Sequence, residues 1–323
     1  MDKKDTRIVF MGTPDFAVAS LDILVSNGYN IVGVVTAPDR QAGRGRKLSI
    51  SPVKKYALEN GLTILQPEKL KDKNFLTELK LLKPDLQVVV AFRMLPEVVW
   101  SLPRLGTFNL HASLLPQYRG AAPINRAVMN GEKETGVTTF FIDEKIDTGK
   151  VIMWEKVSIG EDETAGELHD RLMITGAELV LKTVEKIIGG DYTLIDQNKI
   201  DTSVLKPAPK IFKEDCRINW KQDIDSIYNF IRGLSPYPGA FTELISPDGE
   251  KYFVKIFRAE KSANNEQVNP GILKTDSKTF IRIYGKNGYI NINEIQIAGK
   301  KRMKTDELLR GFHISNEWKV SSE

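Results

Sequence analysis

Cysteine is nearly absent. Cys216 is the single one in 323 residues, which excludes an internal disulfide and a cysteine-based zinc site. Histidine is almost as scarce: His111, His169 and His313 stand far apart and match no metal-ligand spacing. No apolar run approaches the ~20 residues of a membrane-spanning helix, and mean hydropathy is -0.26. The start of the chain mixes Asp2 and Asp5 with lysines before the apolar Ile8–Phe10. Neither a secretory h-region nor an acid-free transit sequence is read there, so the cytoplasm is the expected compartment. A large charge of one sign is also missing, since the net is only +4. The distribution says more: Lys206 to Glu323 holds 20 Lys+Arg against 15 Asp+Glu, while the rest of the chain is at −1. The basic surplus therefore lies wholly in the C-terminal third, which suits a polyanionic partner or simply a soluble surface of mixed charge.

What is present is core material. Hydrophobic residues make up 41% and charged residues 27%, which excludes wholesale disorder. At ~100–200 residues per domain the length suggests two domains. Arg7–Met11 reads as a buried strand ending at Gly12, Pro14–Asn27 as a helix, and Ile31–Thr36 as a second strand. Strand, helix and strand in so short a span indicate a parallel βαβ unit. The alternation continues: helices over 53–60, 74–82, 123–130 and 163–188, and strands over 63–65, 86–91, 107–111 and 137–142. The expected fold of residues 1–190 is a doubly wound, Rossmann-like α/β domain. Residues 191–209, with Pro207 and Pro209 and no clear period, read as a linker. In 210–323 one amphipathic helix over 218–234 precedes strands at 241–245, 252–259, 280–284 and 290–297, a spacing that suggests a small β-barrel.

Four segments are able to carry chemistry. The first βα turn, Gly12-Thr13-Pro14-Asp15-Phe16, lacks the three glycines of a dinucleotide cradle, and Pro14 removes an amide donor. A nicotinamide oxidoreductase is thereby disfavoured. Asn109 and His111 lie two residues apart at the end of a strand, so both side chains face one side of the sheet. Ligands bind beyond the carboxyl ends of such strands. A carboxamide beside an imidazole there is able to polarise a carbonyl and handle a proton. Taken alone, a satisfied structural histidine is the commoner use of such a residue. Asp147, in Asp147-Thr148-Gly149 after the next strand, has the position to orient His111 or to accept a proton, although this is also an ordinary turn sequence. Finally, Arg40, Arg44, Arg46 and Lys47 share a glycine-containing loop suited to a phosphate backbone, or simply to solvent.

In order along nearly the whole chain, these segments resemble the methionyl-tRNA formyltransferase family. The resemblance runs through Phe10-Met11-Gly12-Thr13-Pro14-Asp15-Phe16, Pro38-Asp39-Arg40 and Ser51-Pro52-Val53-Lys54. It continues through Asn109-Leu110-His111-Ala112-Ser113-Leu114-Leu115-Pro116, Tyr118-Arg119-Gly120 and Asp147-Thr148-Gly149. Beyond the linker it takes in Ile218-Asn219-Trp220, Ser235-Pro236-Tyr237-Pro238-Gly239 and Ala298-Gly299-Lys300-Lys301. It implies a formyltransferase domain that binds 10-formyltetrahydrofolate, a C-terminal OB-like tRNA-binding barrel, and formyl transfer to methionyl initiator tRNA. It implies Asn109, His111 and Asp147 as catalytic residues and Ser113, Leu114, Leu115 and Pro116 as the folate-binding segment. It points to Arg40, Arg44, Arg46 and Lys47, with Lys206, Lys210 and Lys213 at the barrel entrance, as tRNA contacts. No metal is implied, no membrane is involved, and a monomer is the expected state. Three departures stand out: Phe92 and Arg93 replace a tyrosine and a glycine in the loop after the third long strand, Asp143-Glu144-Lys145-Ile146 replaces the usual glycine-leucine approach to Asp147, and Asn125-Arg126 follows Ala-Pro-Ile.

The close rival is another folate-dependent formyltransferase, acting on a nucleotide-linked amino sugar or on glycinamide ribonucleotide. The basic loop and basic barrel favour tRNA. A noncatalytic tRNA-binding protein has no need for Asn109, His111 and Asp147 at one sheet edge.

Overall fold

The computed structural model describes residues 3–42, 47–200, 204–264 and 268–321. Two compact units emerge, and they do not follow the linear partition expected above. One comprises Met1–Gly120, Glu134–Ser158 and His169–Ala208; the other comprises Ala121–Lys133, Ile159–Leu168 and Pro209–Glu323.

The first part of the chain runs β1 (Arg7–Gly12), α1 (Asp15–Ser26), β2 (Asn30–Val35), the short pair β3 (Arg40–Ala42) and β4 (Lys47–Ser49), α2 (Pro52–Glu59) and β5 (Ile64–Leu65). Next come α3 (Lys73–Leu81), β6 (Leu86–Val90), α4 (Glu97–Trp100), β7 (Thr107–His111), α5 (Pro123–Met129), β8 (Glu134–Phe141), β9 (Val151–Ser158) and α6 (Ala165–Gly189). The sheet of the first unit has the order β5-β2-β1-β6-β7-β8-β9. β1, β2, β5, β6 and β7 are parallel, and β8 and β9 extend the sheet antiparallel. β1 lies inside the sheet between β2 and β6, and Ile8 to Met11 are wholly buried, which is why the strand reads as an unbroken apolar run. Ser51 caps α2 by accepting from Lys54 N at 3.0 Å, and Asp72 caps α3 through Asn74 N and Phe75 N. Gly12 lets the β1–α1 turn close tightly: a Cβ there would lie 2.6 Å from Ala17 Cβ. β9 has no counterpart in the sequence reading.

The second unit contains α7 (Ile224–Gly233), β10 (Ala240–Ile245), β11 (Lys251–Ala263), β12 (Leu273–Thr275), β13 (Ile281–Gly285), β14 (Gly288–Ile297), β15 (Met303–Lys304), α8 (Thr305–Gly311) and β16 (Lys319–Val320). Its sheet order is β12-β13-β14-β11-β10-β16, antiparallel at each pairing, with β15 against β14. Ile224, Ile227 and Ile231 of α7 join Ile256, Ile283, Ile290, Ile292 and Ile295 in one core. The helix begins later than periodicity alone predicts. Asp223 caps it through Ser226 N at 2.8 Å, while Ile218 N donates to Phe241 O at 2.8 Å in an extended segment.

Candidate active site

β7 carries Asn109 and His111 to the carboxyl edge of the first sheet. His111 pairs in register with Thr138 of β8, and Asn109 with Phe140. The chain then turns through Ser113–Gly120, with a cis peptide between Leu115 and Pro116. Tyr118, at φ 58, turns its carbonyl toward the imidazole and accepts from His111 Nε2 at 2.8 Å. A carbonyl only accepts, so Nε2 carries the proton and Nδ1 is the ring atom left for chemistry.

Nδ1 lies 3.9 Å from Asp147 Oδ2, and the two side chains are only 8% and 14% exposed. That separation is charge contact rather than a hydrogen bond. The hydrogen bond that the imidazole makes is the one to the Tyr118 carbonyl. The carboxylate is itself held, because Gly120 N donates to Asp147 Oδ2 at 2.9 Å. Asp147 sits at φ 55, a left-handed conformation that aspartate and asparagine tolerate better than most residues. The Asn109 carboxamide is half-buried and has no hydrogen-bond partner among the described residues.

The Ser113–Pro116 segment is clamped by one hydroxyl. Thr138 Oγ1 donates to Ser113 O at 2.6 Å and accepts from Leu115 N at 3.1 Å. Ser113 donates to Gln117 O at 2.6 Å, and Leu115 packs with Phe140 and Val151. Ser113, Leu115 and Pro116 are thus buried, and Leu114 is the half-buried member of the four. The face this segment offers to a ligand is chiefly backbone and Leu114.

Sequence reasoning missed the brace beneath the site. Gln197 is 2% exposed. Its amide nitrogen donates to Asp147 O at 3.0 Å and to Gly149 O at 2.7 Å. Its oxygen accepts from Arg119 Nε at 3.1 Å and Nη2 at 2.6 Å. Tyr118 N donates to Lys206 O at 2.7 Å, and Ala208 N to Arg119 O at 2.8 Å. The stretch read as a linker therefore ties down the loops that carry the His111 acceptor and Asp147. Gly120 makes this approach possible: at φ 124, a Cβ would lie 2.4 Å from Ala208 O. Tyr118-Arg119-Gly120 was visible as a motif, whereas Gln197 carries no sequence signal.

Arg93, the departure noted above, turns back on the fold. It donates to Glu68 O at 2.7 Å and to Pro67 O, with its guanidinium 5.6 Å from the Phe92 ring. Burial, and then the neighbouring charge of Arg40, hold the Arg93 guanidinium below the usual arginine range. Asp39 accepts from Lys54 Nζ at 2.5 Å and from Gln66 Nε2 at 2.8 Å, and these bonds hold its carboxyl below the usual carboxylate range. Arg40 is exposed at the start of β3. Arg44 and Arg46 lie outside the described residues; Lys47 opens β4, its side chain undescribed. Lys206 is exposed in the first unit, and Lys210 and Lys213 are exposed in the second. Among the described residues no group of three His, Cys, Asp or Glu is able to hold a metal ion, and no helix is long and apolar enough to cross a membrane.

The chain matches two family profiles: "Formyl transferase" over residues 6–184 and "Formyl transferase, C-terminal domain" over 210–313. It is 56% identical over 323 residues to methionyl-tRNA formyltransferase of Bacteroides fragilis, covering 100% of both chains. It is 52% identical over 314 residues to the enzyme of the same name from Flavobacterium johnsoniae, covering 97% and 98%. Among solved structures it resembles the sugar 3N-formyl transferase WlaRD, with TM-score 0.64 and 23% identity over 92% of this chain and 99% of that one. HypX from Aquifex aeolicus in complex with tetrahydrofolic acid gives TM-score 0.61 and 19% identity over 94% of this chain and 46% of the other. At such identities the structural likeness speaks for the fold alone.

Proposed function

Since the chain belongs to the formyl transferase family in both its N-terminal and its C-terminal part, we propose that the edge of its first sheet is where a formyl group changes nitrogen. The reaction transfers the formyl group of 10-formyltetrahydrofolate to the α-amino group of methionyl initiator tRNA, for translation initiation. The observation that carries the site assignment is the approach of Asp147 to His111 at 3.9 Å, beside Asn109 on the same strand. In this reading the enzyme works as a cytoplasmic monomer without a metal.

The folate supplies an activated one-carbon unit, and the residues present suit it. In this reading the Asn109 carboxamide, unpartnered among the described residues, the Asp147 carboxylate, largely withdrawn from water, and the Ser113–Pro116 segment border the reacting position. The incoming amine has a pKa near ~8, so an appreciable fraction is neutral at physiological pH. Attack needs positioning more than prior deprotonation. Asn109 donates to the formyl oxygen as negative charge develops on it. Asp147 accepts the proton that the nitrogen sheds on forming its new bond to carbon. Asp147 hands that proton across to Nδ1 of His111, and His111, fixed through Nε2, delivers it from Nδ1 to the departing nitrogen. One proton leaves the acceptor and one reaches the leaving group, so the site ends as it began.

An assay with 10-formyltetrahydrofolate and charged initiator tRNA, charged elongator tRNA or a nucleotide-linked amino sugar tests the assignment. Initiator formylation should dominate; activity confined to the sugar amine would select the rival reading.

Two further outcomes are expected. Gln197→Leu leaves the backbone oxygens of Asp147 and Gly149 without their donor and Arg119 without its acceptor. Stability should fall by roughly 1–3 kcal/mol and kcat by about tenfold through misplacement of Asp147, with KM for folate nearly unchanged. Thermal melts and steady-state kinetics measure both; an unaltered kcat would make Gln197 merely structural. Arg44→Ala should weaken tRNA binding, spare folate binding, and reduce the slope of log K against log salt by about 0.7–0.9, one phosphate contact. An identical slope would mean that Arg44 touches only solvent.

A further inference from the structure

The second unit contains a cavity of about 460 Å³ that the reading above leaves unused. Its walls include Lys210, Lys213 and Lys255 and the rings of Phe212, Tyr237 and Phe253, and no aspartate or glutamate lines it. None of the three lysines has a carboxylate partner among the described residues. Lys210 Nζ lies 5.2 Å from the Phe212 centroid, and Lys213 Nζ 5.4 Å from that of Phe253. Lys255 Nζ donates to Pro238 O at 2.7 Å, which occupies one of its three N–H bonds and leaves its charge available.

Two of the rings are held out in water: Phe212 is 56% exposed and Tyr237 82%. The backbone that carries Tyr237 is tied down by the Asn125 carboxamide, which donates to Gly233 O at 2.8 Å and reaches Tyr237 O at 3.5 Å. That support also accounts for Asn125 after Ala-Pro-Ile.

A purely electrostatic surface for a phosphate backbone needs lysines and has no use for exposed rings. Stacking on aromatic rings beside cations is how proteins hold unpaired bases. A paired base keeps its faces inside the duplex and offers none to Tyr237. We propose that this cavity binds one unpaired nucleotide of the tRNA, with its base stacked on Tyr237 or Phe212 and its phosphates against Lys210, Lys213 and Lys255. The inference rests on tRNA being the substrate. It adds base stacking to a barrel otherwise expected to hold RNA by charge alone.

The test is fluorescence titration of the full chain with a four-nucleotide single-stranded oligoribonucleotide carrying 2-aminopurine at an inner position. A hairpin of paired sequence serves as competitor. Saturable quenching is expected. Tyr237→Ala should weaken it by about tenfold or more, within the range for loss of one stacked base, and Tyr237→Phe should restore it. Phe212→Ala should act in the same direction, and Lys213→Gln should weaken binding and lower its salt dependence. In formylation, Tyr237→Ala should raise KM for methionyl-tRNA with kcat little changed. Absence of quenching, equal competition by the hairpin, or Tyr237→Ala and Phe212→Ala variants that bind like the parent would overturn the proposal. If the parent enzyme formylates methionyl-tRNA while these variants keep its KM, the stacking site alone fails. If the parent does not formylate methionyl-tRNA, the assigned reaction fails instead.

Discussion

Asp147→Asn should lower kcat by at least about a hundredfold, within the usual contribution of a positioned acid or base, while leaving the protein folded. The substitution isolates the chemistry. Asparagine is among the residues that tolerate a left-handed backbone, so φ 55 costs it little. Its side-chain oxygen keeps an acceptor for Gly120 N, which now donates to Asp147 Oδ2 at 2.9 Å. The bonds from Gln197 reach the backbone oxygens of Asp147 and Gly149, which the change does not touch. What disappears is a negative charge 3.9 Å from His111 Nδ1 and the capacity to take a proton. Single-turnover formylation with both substrates saturating, together with a thermal melt, separates the two effects. A normal melt with a near-normal rate would remove Asp147 from proton transfer.

Asn109→Ala should reduce kcat by about a hundred- to a thousandfold, the loss typical of one oxyanion donor. The unpartnered state of this carboxamide makes the experiment clean. Alanine breaks no hydrogen bond among the described residues, so the melting temperature should hardly move. KM for the folate should also stay close to its original value, because the interaction is made chiefly as charge develops on the formyl oxygen. A fall in kcat of less than about tenfold would place the oxyanion elsewhere in the site. His111→Ala is a poorer probe, since it also strips the Tyr118 carbonyl of its donor.

The sequence makes the layers of the fold legible wherever hydrophobic period and burial agree. β1 and β6 are largely apolar runs because helices and neighbouring strands cover them, and the helices α1, α2 and α3 follow the apolar period and close near Gly28, Gly61 and Leu82. β9 leaves no strand signal because its second half, with Trp154 40% exposed beside Glu155 and Lys156, follows no clean alternation. α7 starts later than the 218–234 period suggests because Ile218 and Trp220 are buried like helix residues but precede the helix; the boundary is set by the Asp223 cap. α8, with seven residues, is too short to establish a period.

The site was legible to a different degree. Asn109 and His111 stood out through their spacing at a strand end. Asp147 looked like any turn residue until the resemblance was considered. Its left-handed backbone and its bond to Gly120 are tertiary facts without a local sequence cost. The partner of His111 Nε2 has no local signal for a related reason: it is a main-chain carbonyl, and every residue has one. Gln197 was invisible because one amide among polar neighbours has no period, charge or motif to distinguish it.

The brace has a practical consequence for anyone dividing this enzyme. A catalytic fragment cut at Gly190, where the long helix ends, would discard the amide behind Asp147 and both main-chain partners of the Tyr118–Arg119 loop. Such a fragment could keep its entire sheet and still be inert, which would wrongly credit the missing barrel with catalysis. The earliest cut that spares the scaffold falls after Ala208, so the connector belongs, in engineering terms, to the engine and not to the coupling.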